Sequence, residues 1–209
     1  MHKSATQRIE KAASEFSHLI LKNIGDCTED QQSAVRDIRN QDSVRSCMYT
    51  DHIISIEEHQ SWISKLRNDS AQQVFVILAA ELKPIGVLSV NAIDNLHKKA
   101  DWAFYLEKNA RGGLGAALEY FLLNYVFYFL RLEKLNCEVI ETNASVVRLH
   151  EKFGFLKEGY RRSNLEKNGK RIGVYLLGIT KQEWDAIHNE IKMKHQNIIN
   201  KYHIALQSS

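Results

Sequence analysis

The stretch Arg111-Gly-Gly-Leu-Gly-Ala116, with the long apolar helix that it opens, constrains the fold of this chain more than any other. Upstream, KKADWAFYLE (98–107) sets Trp102, Phe104 and Tyr105 among polar residues, reads as a strand and stops at Asn109. Downstream, Leu114, Ala117, Leu118, Phe121, Leu122, Tyr125, Val126 and Phe129 recur at steps of three and four, one face of a helix. Glycines at a strand-to-helix junction leave backbone N–H groups uncovered by side chains. The helix start adds orphan donors and the positive end of its dipole. Such a junction either seats a phosphate or pyrophosphate or merely lets the chain reverse. A dinucleotide-binding fingerprint fits poorly, because Ala116, Ala117 and Leu118 stand where a third glycine belongs, and Glu133 falls in a charged loop.

At 209 residues the chain makes one ordinary domain with short extensions, large enough to bury a core. Its net charge of +3 favours an anionic ligand without specifying nucleic acid. Cys27, Cys47 and Cys137 suggest neither a disulfide framework nor a zinc site, so a reducing compartment is expected and no metal is called for. The opening MHKSATQRIEKAASEF has no apolar run and is not read as a signal peptide. YFLLNYVFYFL (120–130), broken by Asn124, is too short to span a bilayer. The expectation is a cytoplasmic protein without membrane or nucleic-acid partners; the sequence allows a homodimer.

Residues 1–16 read as a polar extension and 184–209 as a C-terminal helical extension, around a domain at 17–183. SHLILKNI (17–24) reads as a strand and 28–40 as a helix capped by Thr28. Residues 41–53 read as irregular, and Ser55-x-x-Glu58 is a capping box opening a helix over 56–67. QQVFVILAA (72–80) reads as a strand buried on both faces, and IGVLSVNAI (85–93) as its hairpin partner. Beyond the central helix come a strand (134–141), a short helix capped by Asn143, and two strands flanking an Asn-Gly turn at Lys167–Lys170. Thr180-x-x-Glu183 is a second capping box, before a final helix. Strand and helix alternate irregularly, as in an α/β (α+β) mixed sheet with helices on its faces.

The hairpin leading to strand, glycine turn and long helix, the strand ending at Glu141-Thr142-Asn143, and RLHEKFGFLKEGY (148–160) together resemble the GNAT superfamily of acetyl-coenzyme A-dependent N-acetyltransferases. The resemblance spans about residues 17–183. It implies a mostly antiparallel sheet of about seven strands, splayed at its centre, with acetyl-CoA as co-substrate. The pantetheine arm would lie between the strand ending at Phe104, Tyr105 and Leu106 and the strand 134–141, near Asn143. The pyrophosphate would sit on Gly112, Gly113, Leu114, Gly115 and Ala116, and a strand amide near Phe104 or Tyr105 would polarise the thioester carbonyl. The family's usual Gln or Arg three residues before the first motif glycine is here Ala110, with Arg111 one residue closer. Where the superfamily often carries a tyrosine as general acid, this chain has His150, whose imidazolium can serve instead. Glu138, a carboxylate on an apolar strand, is read either as base through a water or as half of an ion pair, and Ser89 as the holder of that water.

Within the superfamily, residues 38–63 and 133–143 are most similar to the nucleotide-sugar N-acetyltransferases of pseudaminic acid synthesis. That resemblance implies acetylation of the 4-amino group of a UDP-4-amino-4,6-dideoxy sugar, with Arg39, Met48, Tyr49 and Tyr105 at the sugar-nucleotide site. Trp62 reads rather as core packing. Asp51, Glu57 and Glu58 keep a protein N-terminal or ribosomal-protein acetyltransferase as the alternative, and a coenzyme A-binding module without catalysis as the third. Direct attack by a neutral amine is expected, with Cys137 inert.

Overall fold

The computed structural model describes residues 17–110 and 112–207; the expected extension over 1–16, and Arg111, lie outside them. One eight-stranded sheet runs in the order β6-β7-β5-β4-β3-β2-β1-β8. Its strands are β1 (His18–Asn23), β2 (Gln73–Leu78), β3 (Pro84–Asp94), β4 (Lys99–Leu106), β5 (Lys134–Ile140), β6 (Leu156–Lys167), β7 (Lys170–Thr180) and β8 (His203–Leu206). Pairing is antiparallel except for β4 with β5 and β1 with β8. The eighth strand is a correction. The segment expected to be wholly helical past 183 returns after its helices to pair with the first strand, His18 opposite His203.

Helix α1 (Glu29–Arg39) opens on the expected cap Thr28, which forms a capping box with Gln31, and α3 (Ile56–Leu66) on the expected capping box of Ser55 with Glu58. A single turn, α2 (Asp42–Arg45), interrupts the segment expected to be irregular. On this side of the sheet Val35 and Ile63 pack on Val74, Val76, Leu78 and Val87. The other side is covered by α4 (Leu114–Asn124), α5 (Ala144–Lys152), α6 (Lys181–Lys194) and α7 (Gln196–Lys201), which close the larger core over Leu21, Ile77, Leu88 and Trp102. β2, with both faces covered, is buried at five of its six positions. The Asn-Gly turn is as expected, Asn168 at φ 49° and Gly169 at φ 72° joining the β6–β7 hairpin.

The central helix departs from its expected stripe. Leu114, Ala117, Leu118 and Leu122 are buried, but so are Ala116, Glu119 and Leu123, so α4 is enclosed almost all round. At Tyr125–Phe129 it widens into a π-helical turn. That turn rotates Phe129 off the core, to 69% exposure.

Candidate active site

β4 and β5 pair over three positions only, Lys99↔Lys134, Ala100↔Leu135 and Asp101↔Asn136. Past Asp101, β4 stays with β3 up to Leu106, and β5 stays with β7 up to Ile140. Their facing edges separate, leaving a row of β4 backbone groups without a strand to satisfy them. A cavity of about 280 Å³ fills the wedge, walled by Phe104, Tyr105 and Leu106 on one side and Cys137 and Val139 on the other. Asn143 and His150 line it too, as does Met48. Asn143 sits at the N-cap of α5 without the expected capping bond; its Oδ1 accepts from the Ser145 hydroxyl at 3.1 Å.

At the wedge's helical end, Gly112 and Gly113 take φ of +99° and +94°, a conformation that side chains resist. A Cβ on Gly113 would also stand 3.2 Å from Ile198 of α7. Among the described residues, the amides of Leu114 and Gly115 have no acceptor. Ala116 is a correction to the expected cradle: its N–H donates to the Gly113 carbonyl at 3.0 Å and is spent within the helix start. The strained turn, the Leu114 and Gly115 amides and the positive end of an eleven-residue helix fit a diphosphate.

His150, expected as a general acid, is 3% exposed and packs edge-on to Trp102, ring centroids 5.1 Å apart. Its Nδ1 lies 2.9 Å from Oε1 of Glu119, a carboxylate wholly buried in α4. Burial pushes the Glu119 carboxyl up, opposed by the adjacent imidazole. Glu119 escaped the sequence reading, although a lone acid inside LGAALEYFLLN was signal enough. Burial also pushes the Cys137 thiol well above its ordinary range.

The opposite side of the sheet carries a second cavity of about 370 Å³, lined by Arg39, Trp62, Ser89, Asn91 and Tyr105, with Glu58 its single acid among the described residues. Tyr105 borders both cavities, and burial raises its phenol. Nη2 of Arg39 donates to the Thr50 carbonyl and hydroxyl, at 3.1 and 2.9 Å, while Nη1 is buried with no partner among the described residues. Trp62 packs against the smaller core, as expected, and lines this cavity as well. Ser89 donates to the Ala103 carbonyl at 3.3 Å and accepts from Asn91 at 3.0 Å.

Tyr49 and Glu138 meet as donor and acceptor, and Arg161 of β6 completes the cluster at 2.7 Å from Glu138. Arg161 was not singled out in the sequence; it lies on a different strand from Glu138. The three acids that kept a protein substrate open are engaged: Glu57 with the Ser55 hydroxyl, Glu58 with the Ser55 amide and His52, Asp51 with Arg45.

Residues 27–175 match the family model of the acetyltransferase (GNAT) domain. The spermidine N(1)-acetyltransferase of Vibrio cholerae is 26% identical over 151 residues, 72% of this chain and 87% of that protein. The acetyltransferase PseH of Campylobacter jejuni is 25% identical over 135 residues, 65% of this chain and 83% of that protein. A crystal structure of the Vibrio cholerae spermidine N-acetyltransferase with CoA and spermine shares the fold at a TM-score of 0.73, with 23% identity, covering 79% of this chain and 97% of that one.

Proposed function

The chain belongs to the GNAT acetyltransferase family and is an acetyl-CoA-dependent N-acetyltransferase, and from that premise we propose that its acceptor is the 4-amino group of a UDP-linked aminodideoxy sugar. One observation carries the choice of acceptor. The second cavity is lined by the Arg39 guanidinium, and its single acid among the described residues is already bonded. A diphosphate or a uracil carbonyl satisfies that donor. A polyamine would bring like charge to it. Trp62 and Tyr105 add flat faces for a base or sugar. The similarity to PseH supports the same reading, and that to the spermidine enzyme makes a polyamine the acceptor to test against it.

In this reading the amides of Leu114 and Gly115 hold the diphosphate of CoA, and the wedge takes its pantetheine arm. Bound acetyl-CoA supplies an acetyl thioester. A β4 amide near Phe104 or Tyr105 polarises its carbonyl. The neutral amine attacks directly; the buried, protonated Cys137 gives no acyl-enzyme route. His150 donates a proton from Nε2 to the departing sulfur. Ser89, donating to Ala103, keeps an acceptor site for a water that removes the amine's proton. Glu138, engaged by both Tyr49 and Arg161, is held in that cluster instead of serving as the base. The reaction belongs where acetyl-CoA is made and used, in the cytoplasm.

Thiol release from acetyl-CoA, followed with the UDP-linked 4-amino sugar, with spermidine and with peptides bearing free N-termini, tests the acceptor. Saturable release with the sugar nucleotide supports the proposal. Release with spermidine or peptide alone overturns it, and CoA binding without release from any acceptor leaves a binding module.

A further inference from the structure

We propose that Glu119 is a positioning residue for acetyl transfer, its carboxylate holding Nδ1 of His150 so that Nε2 is the ring nitrogen serving the wedge. The inference rests on His150 as the general acid.

The fold bears a cost at Glu119 that packing does not explain. The side chain is 0% exposed, on a helix whose neighbouring positions are Leu118, Leu122 and Leu123. Its Oε2 is buried without a partner among the described residues, and its one polar contact is His150 Nδ1 at 2.9 Å. A leucine or methionine would fill the same space without desolvating a carboxylate. The one group that gains from an acid here is His150.

The ring has little freedom. Trp102 packs edge-on at 5.1 Å and Phe155 tilts against it at 5.3 Å, which holds the ring plane. The remaining choice is between the two nitrogens, and the hydrogen bond to Glu119 makes it. The Cys137 thiol on β5 is held protonated by burial, Asp101 on β4 bonds Asn136 at 3.2 Å, and Glu151 on α5 pairs with Lys157 at 2.8 Å.

The proton balance is complete within the reaction. The amine nitrogen forms its bond to the acetyl carbon as the C–S bond breaks, and the electron pair of the broken bond goes to sulfur, which takes the Nε2 proton of a ring protonated on both nitrogens. The imidazole keeps Nδ1–H on Glu119. The proton lost by the amine passes to water and returns one to Nε2.

Two measurements on the full chain test this. Long-range ¹H–¹⁵N spectra, with the His150 signal assigned by its loss in His150→Phe, read which nitrogen is bonded without any turnover. Nδ1 should be protonated and hydrogen-bonded in the native chain, and Glu119→Gln should shift the ring toward the other tautomer. Kinetics use whichever of the three acceptors is turned over. Glu119→Gln should lower kcat by about tenfold or more, displace one limb of the pH–rate profile and leave the acetyl-CoA KM within about twofold. In the His150→Phe background the same change should do nothing further. An unchanged tautomer in Glu119→Gln, or an equal loss of kcat with and without His150, overturns the proposal. If His150→Phe turns over like the native chain, the general-acid reading itself fails, and the proposal falls with it even where the spectra show the bond intact.

Discussion

The Tyr202 hydroxyl donates to the Gly112 carbonyl at 2.9 Å, tying the end of α7 to a turn ninety residues earlier in the chain. Beside it Ile198 packs under Gly113. The amides proposed to hold a diphosphate are therefore braced from behind by the last helix and the strand that follows it.

Tyr202→Phe removes that brace while keeping the ring. We expect a loss of about 1 kcal/mol in stability, the usual worth of one buried hydrogen bond, and several-fold weaker binding of CoA. Titration calorimetry with CoA reads the second effect. Undiminished affinity would detach the C-terminal segment from the cradle.

Gly154, in the FGF element after α5, sits at φ +91°, and an added Cβ would stand 2.3 Å from Ile187 of α6. Gly154→Ala combines left-handed strain with overpacking, so a cost of about 2–4 kcal/mol is expected. Chemical denaturation gives the number; a change below about 0.5 kcal/mol would mean that α6 yields freely.

Arg39→Met keeps much of the bulk of the side chain but removes the guanidinium, its two bonds to Thr50 included. For the sugar-nucleotide acceptor, KM should rise by about tenfold to a hundredfold, the range for one hydrogen bond to a charged group, with the acetyl-CoA KM unchanged. A fall in the acceptor KM, or an improved use of spermidine with no loss on the sugar nucleotide, would remove Arg39 from acceptor recognition.

Glu183 accepts from the Thr180 amide and hydroxyl, each at 2.7 Å, and these bonds hold its carboxyl below the usual range. A folded-state pKa below the unfolded value of about 4.3 gives stability that is present above that pH and lost as pH falls through the folded value. Glu183→Gln should therefore flatten the acid limb of stability against pH, and Thr180→Ala should cost about 1 kcal/mol at neutral pH. Thermal melts between about pH 2 and 7 check both. An acid limb identical in Glu183→Gln would assign the titration to other carboxylates.

Much of the fold was legible because its signals are local. The Thr28 cap, two capping boxes, the Asn-Gly turn and the strand–glycine–helix junction each involve residues within a few positions of one another, and each appears where the pattern placed it. What escaped was longer in reach or shorter in signal. β8 is four residues long and exists because β1 offers an open edge. The π-helical turn at Tyr125–Phe129 breaks a stripe that looked continuous. Trp62 packs on the core as its amphipathic helix suggested, but its place beside a cavity lined also by Arg39, Ser89 and Tyr105 did not show in the helix pattern.

The candidate site divides in the same way. The order of residues alone determined that the glycines turn the chain into a helix start, because φ/ψ freedom and the 3.6-residue period are properties of the local backbone. It also placed Arg39, Tyr105, Glu138 and His150 as polar groups at positions where chemistry was expected. Tertiary structure decided how they meet: that β4 and β5 part after three pairs, that His150 answers to Glu119 thirty-one residues away, that Tyr49 and Arg161 share Glu138, and that one nitrogen of Arg39 is left without a partner. These depend on sheet register and on which helix face lies against which strand, and those are set by burying the whole core at once.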